Sequence, residues 1–324
     1  MNWKQTLFWS FSAAAIFYYF LLFGVFVFVG QEEMQLFIPE WWYIREFLFQ
    51  PGGFCAVAGQ WIIQYYRQPM SAVVFHTVLL VGCGFMVYRI LRCFSDKTYL
   101  LFLSLLPVLY LVKMSIHGEY LVDGTVGVVL MLLALSVSLK VRRAGSIAGY
   151  GIASTLFLCG LTGLLSVCYA FLYTLLALLR YKTSRQRLAA SACLIPALFI
   201  YLFSGWLGIP VPLSDGWMPE AYLEIQRLPH YYMYRVWTFF TLSIVGVALF
   251  ARFVPVIGEK SKWMDRVALV VCLITVLVSI RFCLPEPWHA QRMMLDELSF
   301  LARERQWDAT VSYTHLRAHE TLRH

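Results

Sequence analysis

The sequence has little charge for its length. Only 14% of its residues are Asp, Glu, Lys or Arg, whereas a soluble domain has about 25%. Hydrophobic residues make up 60%, and they are concentrated in long runs. A helix of about 20 apolar residues crosses a hydrocarbon core of roughly 30 Å. The composition argues against an ordinary soluble domain and predicts an all-α, polytopic membrane helix bundle.

Several signatures of catalysis and nucleotide binding are missing. The sequence has no Walker loop, no Rossmann fingerprint, no HExxH and no nucleophile elbow. Its eight cysteines form no CxxC pair and mostly lie in apolar runs, which is typical of buried hydrophobes. The net charge of +8 is interpreted as a topology signal rather than as a nucleic-acid surface. No cofactor is evident, and a divalent metal is kept as an alternative.

Nine apolar runs are predicted to cross the membrane. They are residues 7–29, 71–90, 98–114, 123–139, 146–161, 164–180, 188–207, 234–252 and 266–283. The fifth and sixth runs are predicted to be two helices that break near residues 159–163, the alternative being one long helix. The first run is interpreted as an uncleaved span, because no small-residue cleavage site follows it.

Basic residues divide unevenly between the two sides of this nine-span arrangement. Up to the last span, fifteen Lys and Arg residues fall on the side of the N-terminus and five on the other side. The positive-inside rule then places the N-terminus in the cytoplasm and the C-terminal region in the periplasm of a bacterial inner membrane. Acidic residues show the opposite bias, with nine facing outward and three inward. The outer segments 30–70, 115–123 and 208–233 therefore carry most of the polar material.

The first outer segment is predicted to contain two short interfacial or re-entrant helices. Its first part mixes Trp41, Trp42, Tyr43, Phe47 and Phe49 with Glu40, Arg45 and Glu46. Such a mixture favours a helix that lies in the membrane interface. Pro51, Gly52 and Gly53 should end it, and residues 54–66 have the length of a second short helix rather than of a full span.

Glu32 and Glu33 follow the first span directly and are candidate catalytic residues. A carboxylate at the membrane surface could deprotonate an acceptor or hold a metal beside a lipid phosphate. Adjacent helical residues point about 100° apart, so only one of the two would act. The alternative is an ordinary polar boundary.

A second candidate cluster is His117, Glu119 and Asp123. Glu119 and Asp123 are four residues apart and would share a face of a helix. Asp123 lies at the edge of a predicted span, where an ionisable group is costly and often functional, and His117 could carry a proton. The alternative is a hydrated turn in which Lys113 pairs with Glu119. The spacing fits no metal motif.

Candidate substrate-binding residues are Arg45, Arg227 and Trp217. The two arginines are among the few cations on the outer side and could bind a phosphate. Trp217 lies in a turn-rich loop of the third outer segment. Each arginine could instead be an anchor at the membrane interface.

After the ninth span, Pro287 is predicted to open an amphipathic helix, and no partner for its apolar face follows in the sequence. Residues 285–309 are therefore interpreted as the start of a truncated soluble helical domain. Residues 311–321, VSYTHLRAHET, look like one reading frame of a transposase adaptor used in sequencing libraries. Residues 310–324 are accordingly expected to be non-native.

Two resemblances add to these expectations. The segments EFLFQPGGFCAVAGQWIIQYY and LARERQWDA resemble a family of multi-pass membrane proteins of unknown function from Bacteroidota. That resemblance implies a polytopic region followed by a soluble, helical, repeat-like part. More loosely, the first outer segment with its acidic start resembles polytopic glycosyltransferases that use lipid-phosphate sugars, although those have an aspartate there.

The leading hypothesis is a membrane-embedded, periplasm-facing, glycosyltransferase-like enzyme acting on lipid-linked sugars or envelope precursors. Its partners would be membrane lipids and a polyprenyl-phosphate substrate. The alternative is a non-enzymatic membrane anchor that presents a helical repeat domain to protein partners. A transporter is third, because no inverted repeat or paired broken helices are evident.

Overall fold

The computed structural model describes residues 3–34, 37–117, 120–203, 228–258, 262–285 and 287–303. These residues form fourteen α-helices and one 3₁₀ turn, Gln64–Arg67. The helices are α1 Trp3–Phe23, α2 Val25–Met34, α3 Trp41–Leu48, α4 Gly53–Ile63, α5 Pro69–Leu91, α6 Leu100–Ser115, α7 Val122–Ser138, α8 Ala144–Thr162, α9 Leu165–Arg180, α10 Ser184–Ser191, α11 Leu194–Leu202, α12 Leu228–Gly258, α13 Lys262–Cys283 and α14 Pro287–Arg303. The predicted all-α class is confirmed for this part of the chain.

Four helical segments are long and apolar enough to cross a membrane. They are Gln5–Phe23, Pro69–Leu91, Ala144–Thr162 and Arg235–Phe253. Four further apolar helices are shorter: Leu100–Ser115, Val122–Ser138, Leu165–Arg180 and Leu269–Cys283. Helix length and composition thus agree with a membrane protein, but they do not confirm the predicted count of nine spans.

Local sequence explains where several helices end. The predicted break between the fifth and sixth apolar runs is present: α8 ends at Thr162, and Gly163 has a φ of 62°. A residue with a side chain rarely adopts that left-handed conformation. The predicted turn at residues 51–53 is also present, between α3 and α4, and Gly52 there has a φ of 84°.

Two predicted continuous runs are divided in the structure. The first run is divided at Gly24, where the Phe28 ring comes within 2.8 Å of the position that a Cβ would take. The backbone hydrogen bonds of Gly24 to Phe20 and Phe28 persist, at 2.8 and 2.9 Å, so the chain is not unwound at this point. The seventh run is divided into α10 and α11, and its last residues, 204–207, lie outside the described residues.

The core of the bundle forms around α5. This helix packs against α1, α6 and α7, and α9 in turn packs against α7, α8 and α12. The largest fully buried side chains include Tyr66, Tyr120, Tyr169 and Tyr173. The buried phenols find polar partners, as in the hydrogen bond of 2.6 Å between the Tyr169 and Ser138 hydroxyls, because an unpaired polar group inside a membrane bundle is costly.

The loops cluster at two opposite ends of the bundle. At the first, which we call the α4 end, the Gly52 N–H donates to the Gly160 carbonyl at 3.0 Å. The other end, which we call the α10 end, joins the α7–α8 loop to the segment that follows α9, because the Gln186 amide donates to the Arg142 carbonyl at 2.7 Å. The predicted nine-span arrangement places these two segments on the same side of the membrane.

The last helix, α14, packs against α2. The rings of Phe300 and Phe26 are 6.1 Å apart, and the Arg303 guanidinium contacts the Glu32 carboxylate at 3.0 Å. No partner for this amphipathic helix follows it in the sequence. In the structure its partner is α2, near the beginning of the chain. The interpretation of residues 285–309 as the start of a soluble domain stays a prediction, and residues 310–324 lie outside the described residues.

Candidate functional site

The candidate site is built around Asp123 at the α4 end. Asp123 lies in the first turn of α7, where the helix dipole favours a negative charge. One of its carboxylate oxygens, Oδ1, accepts the Gly124 N–H at 2.7 Å. The residue is partly buried, and none of the ion pairs among the described residues involves it. The carboxylate is thus held in place by the backbone rather than neutralised by a cation.

Helix α4 packs closely against α7 at Asp123. A Cβ on Gly59 would lie 2.6 Å from the Asp123 Cβ and 3.0 Å from its Cα, so only glycine permits this approach of the two helices. Cys55, one turn earlier on α4, and Tyr66, in the following 3₁₀ turn, lie within electrostatic range of the Asp123 carboxylate. Helix α4 and the 3₁₀ turn after it therefore place a thiol and a phenol within electrostatic range of the acid.

Helix α3 is joined to α4 by a polar contact. The Tyr43 hydroxyl donates to the Gln60 Oε1 at 3.2 Å. Burial raises the pKa of the Tyr43 phenol above its ordinary value, and the charge of Glu46 adds to that effect. Tyr43 therefore stays protonated at neutral pH and keeps its donor role. Arg45 lies on the same short helix as Tyr43, and the contact of Tyr43 with Gln60 holds that helix beside the site.

The segment before Asp123 is held by the end of α2. The buried Gln31 side chain donates from Nε2 to the Tyr120 carbonyl at 3.1 Å and, at the longer distance of 3.5 Å, to the His117 carbonyl. Tyr120 is fully buried, and the Thr125 hydroxyl donates to its phenol at 3.3 Å. The polar end of the first apolar run thus positions the segment that leads into α7.

Helix α12 closes the other side of the site. The Trp237 indole N–H donates to the Gly124 carbonyl at 3.4 Å, which is a long contact. Trp237 is 8% exposed. The Gly124 backbone therefore contacts α12, while Asp123 itself packs against α4.

A further buried polar pair lies between α2 and α5. The Tyr66 hydroxyl is hydrogen-bonded to the His76 Nε2 at 2.7 Å, and Phe28 stacks on the imidazole at 4.1 Å. His76 is fully buried. A histidine inside an apolar run is a signal of a functional or structural polar site, and His76 was not among the predicted site residues. Because Tyr66 also lies within electrostatic range of the Asp123 carboxylate, this pair adjoins the candidate site.

The structure brings together only part of the predicted site. His117 and Asp123 lie at the same end, joined through Gln31 and Tyr120. The Glu32 side chain is 26% exposed and is paired with Arg303, a partner that the sequence analysis assigned to a separate domain. The predicted residues Glu119, Trp217 and Arg227, and the side chain of Glu33, lie outside the described residues.

Arg45, the described member of the predicted substrate-binding set, is exposed on α3. Its guanidinium lies 5.9 Å from the centroid of the Phe49 ring. The side chain is accessible and rests on an aromatic face, which suits either an interface anchor or a phosphate contact. Within the described ranges, no group of three or more His, Cys, Asp or Glu residues lies close enough to hold a metal ion.

Comparison with known proteins identifies the family. A model described as a family of unknown function, DUF6057, matches residues 1–323. The chain belongs to DUF6057. The match covers the fourteen helices that the structure describes in this DUF6057 protein and extends through the adaptor-like tail.

No curated protein and no solved structure matches this DUF6057 chain. The resemblance to lipid-phosphate-sugar glycosyltransferases and the assignment to Bacteroidota therefore rest on the sequence alone.

Proposed function

We propose that this DUF6057 protein is a membrane-embedded transferase that acts on a lipid-linked sugar or a related envelope precursor. The observation that carries the proposal is Asp123, a partly buried carboxylate without a cationic partner among the described residues. An ionisable group at membrane depth is costly, and such groups mark functional sites. The short helices α3 and α4 beside it provide a surface at which a lipid substrate could enter.

In the proposed reaction Asp123 is the general base. It accepts the proton of an acceptor hydroxyl while the hydroxyl oxygen forms a bond to the sugar carbon. The bond between that carbon and the phosphate oxygen of the lipid breaks, and the lipid phosphate leaves with the electron pair. Arg45 supplies positive charge for the phosphate. Glu32 is excluded as the base in this proposal because Arg303 neutralises its carboxylate.

The proposed topology has nine spans, with the N-terminus in the cytoplasm and the α4 end in the periplasm. The distribution of Lys and Arg supports this orientation. The contacts of Gly52 with Gly160 and of Gln186 with Arg142 support the alternation of the spans, since successive crossing helices must reverse direction. A polyprenyl-phosphate donor would then reach the site from the outer leaflet.

The test uses the full chain in liposomes made from bacterial lipid extract, with undecaprenyl phosphate carrying a radiolabelled hexose as the probe. Wild-type protein should move the label from the lipid phosphate to an acceptor. Asp123→Asn should slow this transfer by roughly 100-fold or more, the scale of a lost general base. Asp96→Asn, an exposed carboxylate at the α10 end, is the matched control and should leave the rate unchanged.

Two results would overturn the proposal. One is an absence of label transfer by the wild-type protein. The other is full activity of Asp123→Asn while its folding, followed by helical circular dichroism, is unchanged.

A second candidate function, a membrane anchor for protein partners, is supported by α14. This helix uses Phe300 and Arg303 to contact α2, yet Leu295 remains 63% exposed on its surface. A protein partner bound at this helix would cover the exposed leucine. Loss of a co-purified partner in Leu295→Lys, with label transfer absent from wild-type protein, would favour this function over the transferase.

A further inference from the structure

The α10 end contains an open cavity that plays no part in the proposed transfer reaction. Its volume is about 380 Å³, and it lies between the beginning of α1 and the end of α5. The lining residues include Gln5, Phe85, Tyr88, Arg89, Arg92 and Asp96. It thus combines two cations with an aromatic wall.

The cavity continues into an exposed stripe along α5. Val74, Val78, Phe85, Arg89 and Arg92 lie at spacings of three, four and seven, which place them on one helical face. Val78 is 65% exposed and Phe85 is 36% exposed. The face is therefore apolar along the body of the helix and cationic at its end.

A notch interrupts this stripe at Gly82, which shares the same face. No heavy atom lies within 4 Å of the position that a Cβ would take there. The helix itself, Pro69–Leu91, is long and apolar enough to cross a membrane. The stripe and the notch together offer an acyl chain a path that ends at the two arginines.

The polar groups of the cavity are already partly arranged. The Gln5 amide donates to the Tyr88 hydroxyl at 2.8 Å. Arg92 contacts the Asp96 carboxylate at 2.7 Å from Nη2 and 3.2 Å from Nε. The Arg92 and Asp96 side chains are 50% and 81% exposed, and an ion pair this exposed contributes little stability.

A phosphate could therefore displace the Asp96 carboxylate from Arg92. It would accept the same pair of guanidinium N–H groups, because a guanidinium binds phosphate and carboxylate with the same fork geometry.

We propose that this cavity binds an anionic membrane phospholipid. Its phosphate would contact Arg89 and Arg92, and one acyl chain would lie along Val78 and Phe85, across the Gly82 notch. Basic pockets between membrane helices bind anionic headgroups. The apolar continuation favours a lipid over free phosphate, since a soluble anion gains nothing from the exposed stripe.

The test measures phosphatidylglycerol retained by the full-length protein in detergent, by native mass spectrometry. Arg89→Gln/Arg92→Gln should weaken retention roughly tenfold, given the attraction that each surface arginine contributes. Lys182→Gln/Arg185→Gln removes two exposed cations from the same end and should change it less than about twofold. All four side chains are exposed, so folding should be preserved.

A second pair of variants tests the acyl-chain path. Gly82→Leu fills the notch and should weaken lipid retention by several-fold, whereas Gly246→Leu, at another position with open space around its Cβ, should not. Inorganic phosphate at millimolar concentration should fail to displace the lipid. Equal losses in both double variants, no effect of Gly82→Leu, or full displacement by phosphate would each overturn the lipid site.

Discussion

The Arg303 guanidinium and the Glu32 carboxylate lie 3.0 Å apart, although 271 positions separate them in the chain. Their side chains are 31% and 26% exposed, so solvent screens the pair only in part. The contact joins the final described helix to the end of the first apolar run and removes Glu32 from the set of free carboxylates.

Loss of this ion pair should loosen α14. Glu32→Gln and Arg303→Gln are each expected to lower the free energy of unfolding in detergent by about 1 kcal/mol, after allowance for screening. The double variant should lose little more than either single variant, because both remove the same interaction. Glu46→Gln, an exposed glutamate on α3, should have no effect. Additive losses in the double variant would argue against a direct pair.

The close approach of Gly59 to Asp123 predicts a steric effect. A Cβ at position 59 would lie 2.6 Å from the Asp123 Cβ, so Gly59→Ala must push α4 away from α7. Overpacking of this kind costs about 1–3 kcal/mol, which chemical unfolding in detergent would detect. Gly82→Ala is the control, since its Cβ would meet no atom within 4 Å. Unchanged stability of Gly59→Ala would contradict the described packing.

The buried pair Tyr66 and His76 predicts an energetic coupling. Tyr66→Phe leaves the His76 Nε2 without its partner, at a cost of about 1–3 kcal/mol for an unsatisfied buried group. Tyr66→Phe/His76→Phe should recover part of that loss, because Phe28 can stack on a phenyl ring as it does on the imidazole. A double-mutant cycle of unfolding free energies measures the coupling, and Tyr150→Phe, at an exposed position, is the control. Independent effects of the two changes would refute it.

The two loop clusters predict opposite accessibility to a thiol reagent that does not cross membranes. Cys93 is exposed, so the experiment begins from Cys93→Ser. Glu40→Cys at the α4 end should label in intact cells, whereas Ser184→Cys at the α10 end should label only after the membrane is permeabilised; both positions are exposed. Labelling of both from outside would exclude the nine-span topology.

Local features of the fold were predictable because their causes are local. The glycines at 52 and 163 mark the ends of helices through backbone conformation, and a five-residue neighbourhood is enough to detect them. The aromatic and charged composition of residues 40–49 likewise predicted the short helix α3. The division of the first apolar run at Gly24 was not predicted, because a single glycine is tolerated inside a helical pattern.

The contacts that define the candidate site could not be obtained in the same way. The approach of Gly59 to Asp123 and the pairing of Glu32 with Arg303 depend on how distant helices pack, and one sequence carries no record of that. Gln31 lies beside two candidate glutamates, and nothing in the sequence marks its amide as the donor to the Tyr120 carbonyl. An uncharged amide costs less to bury than a charged carboxylate does.

The junction of the first and last helices has a consequence for synthesis in the cell. The Tyr19 hydroxyl donates to the Cys283 carbonyl at 2.6 Å, and Glu32 pairs with Arg303. At translation rates of about 5–20 residues per second, these partners emerge tens of seconds after α1 and α2. The contacts that α1 and α2 make with Cys283 and Arg303 therefore form late in synthesis, after the intervening helices have been made.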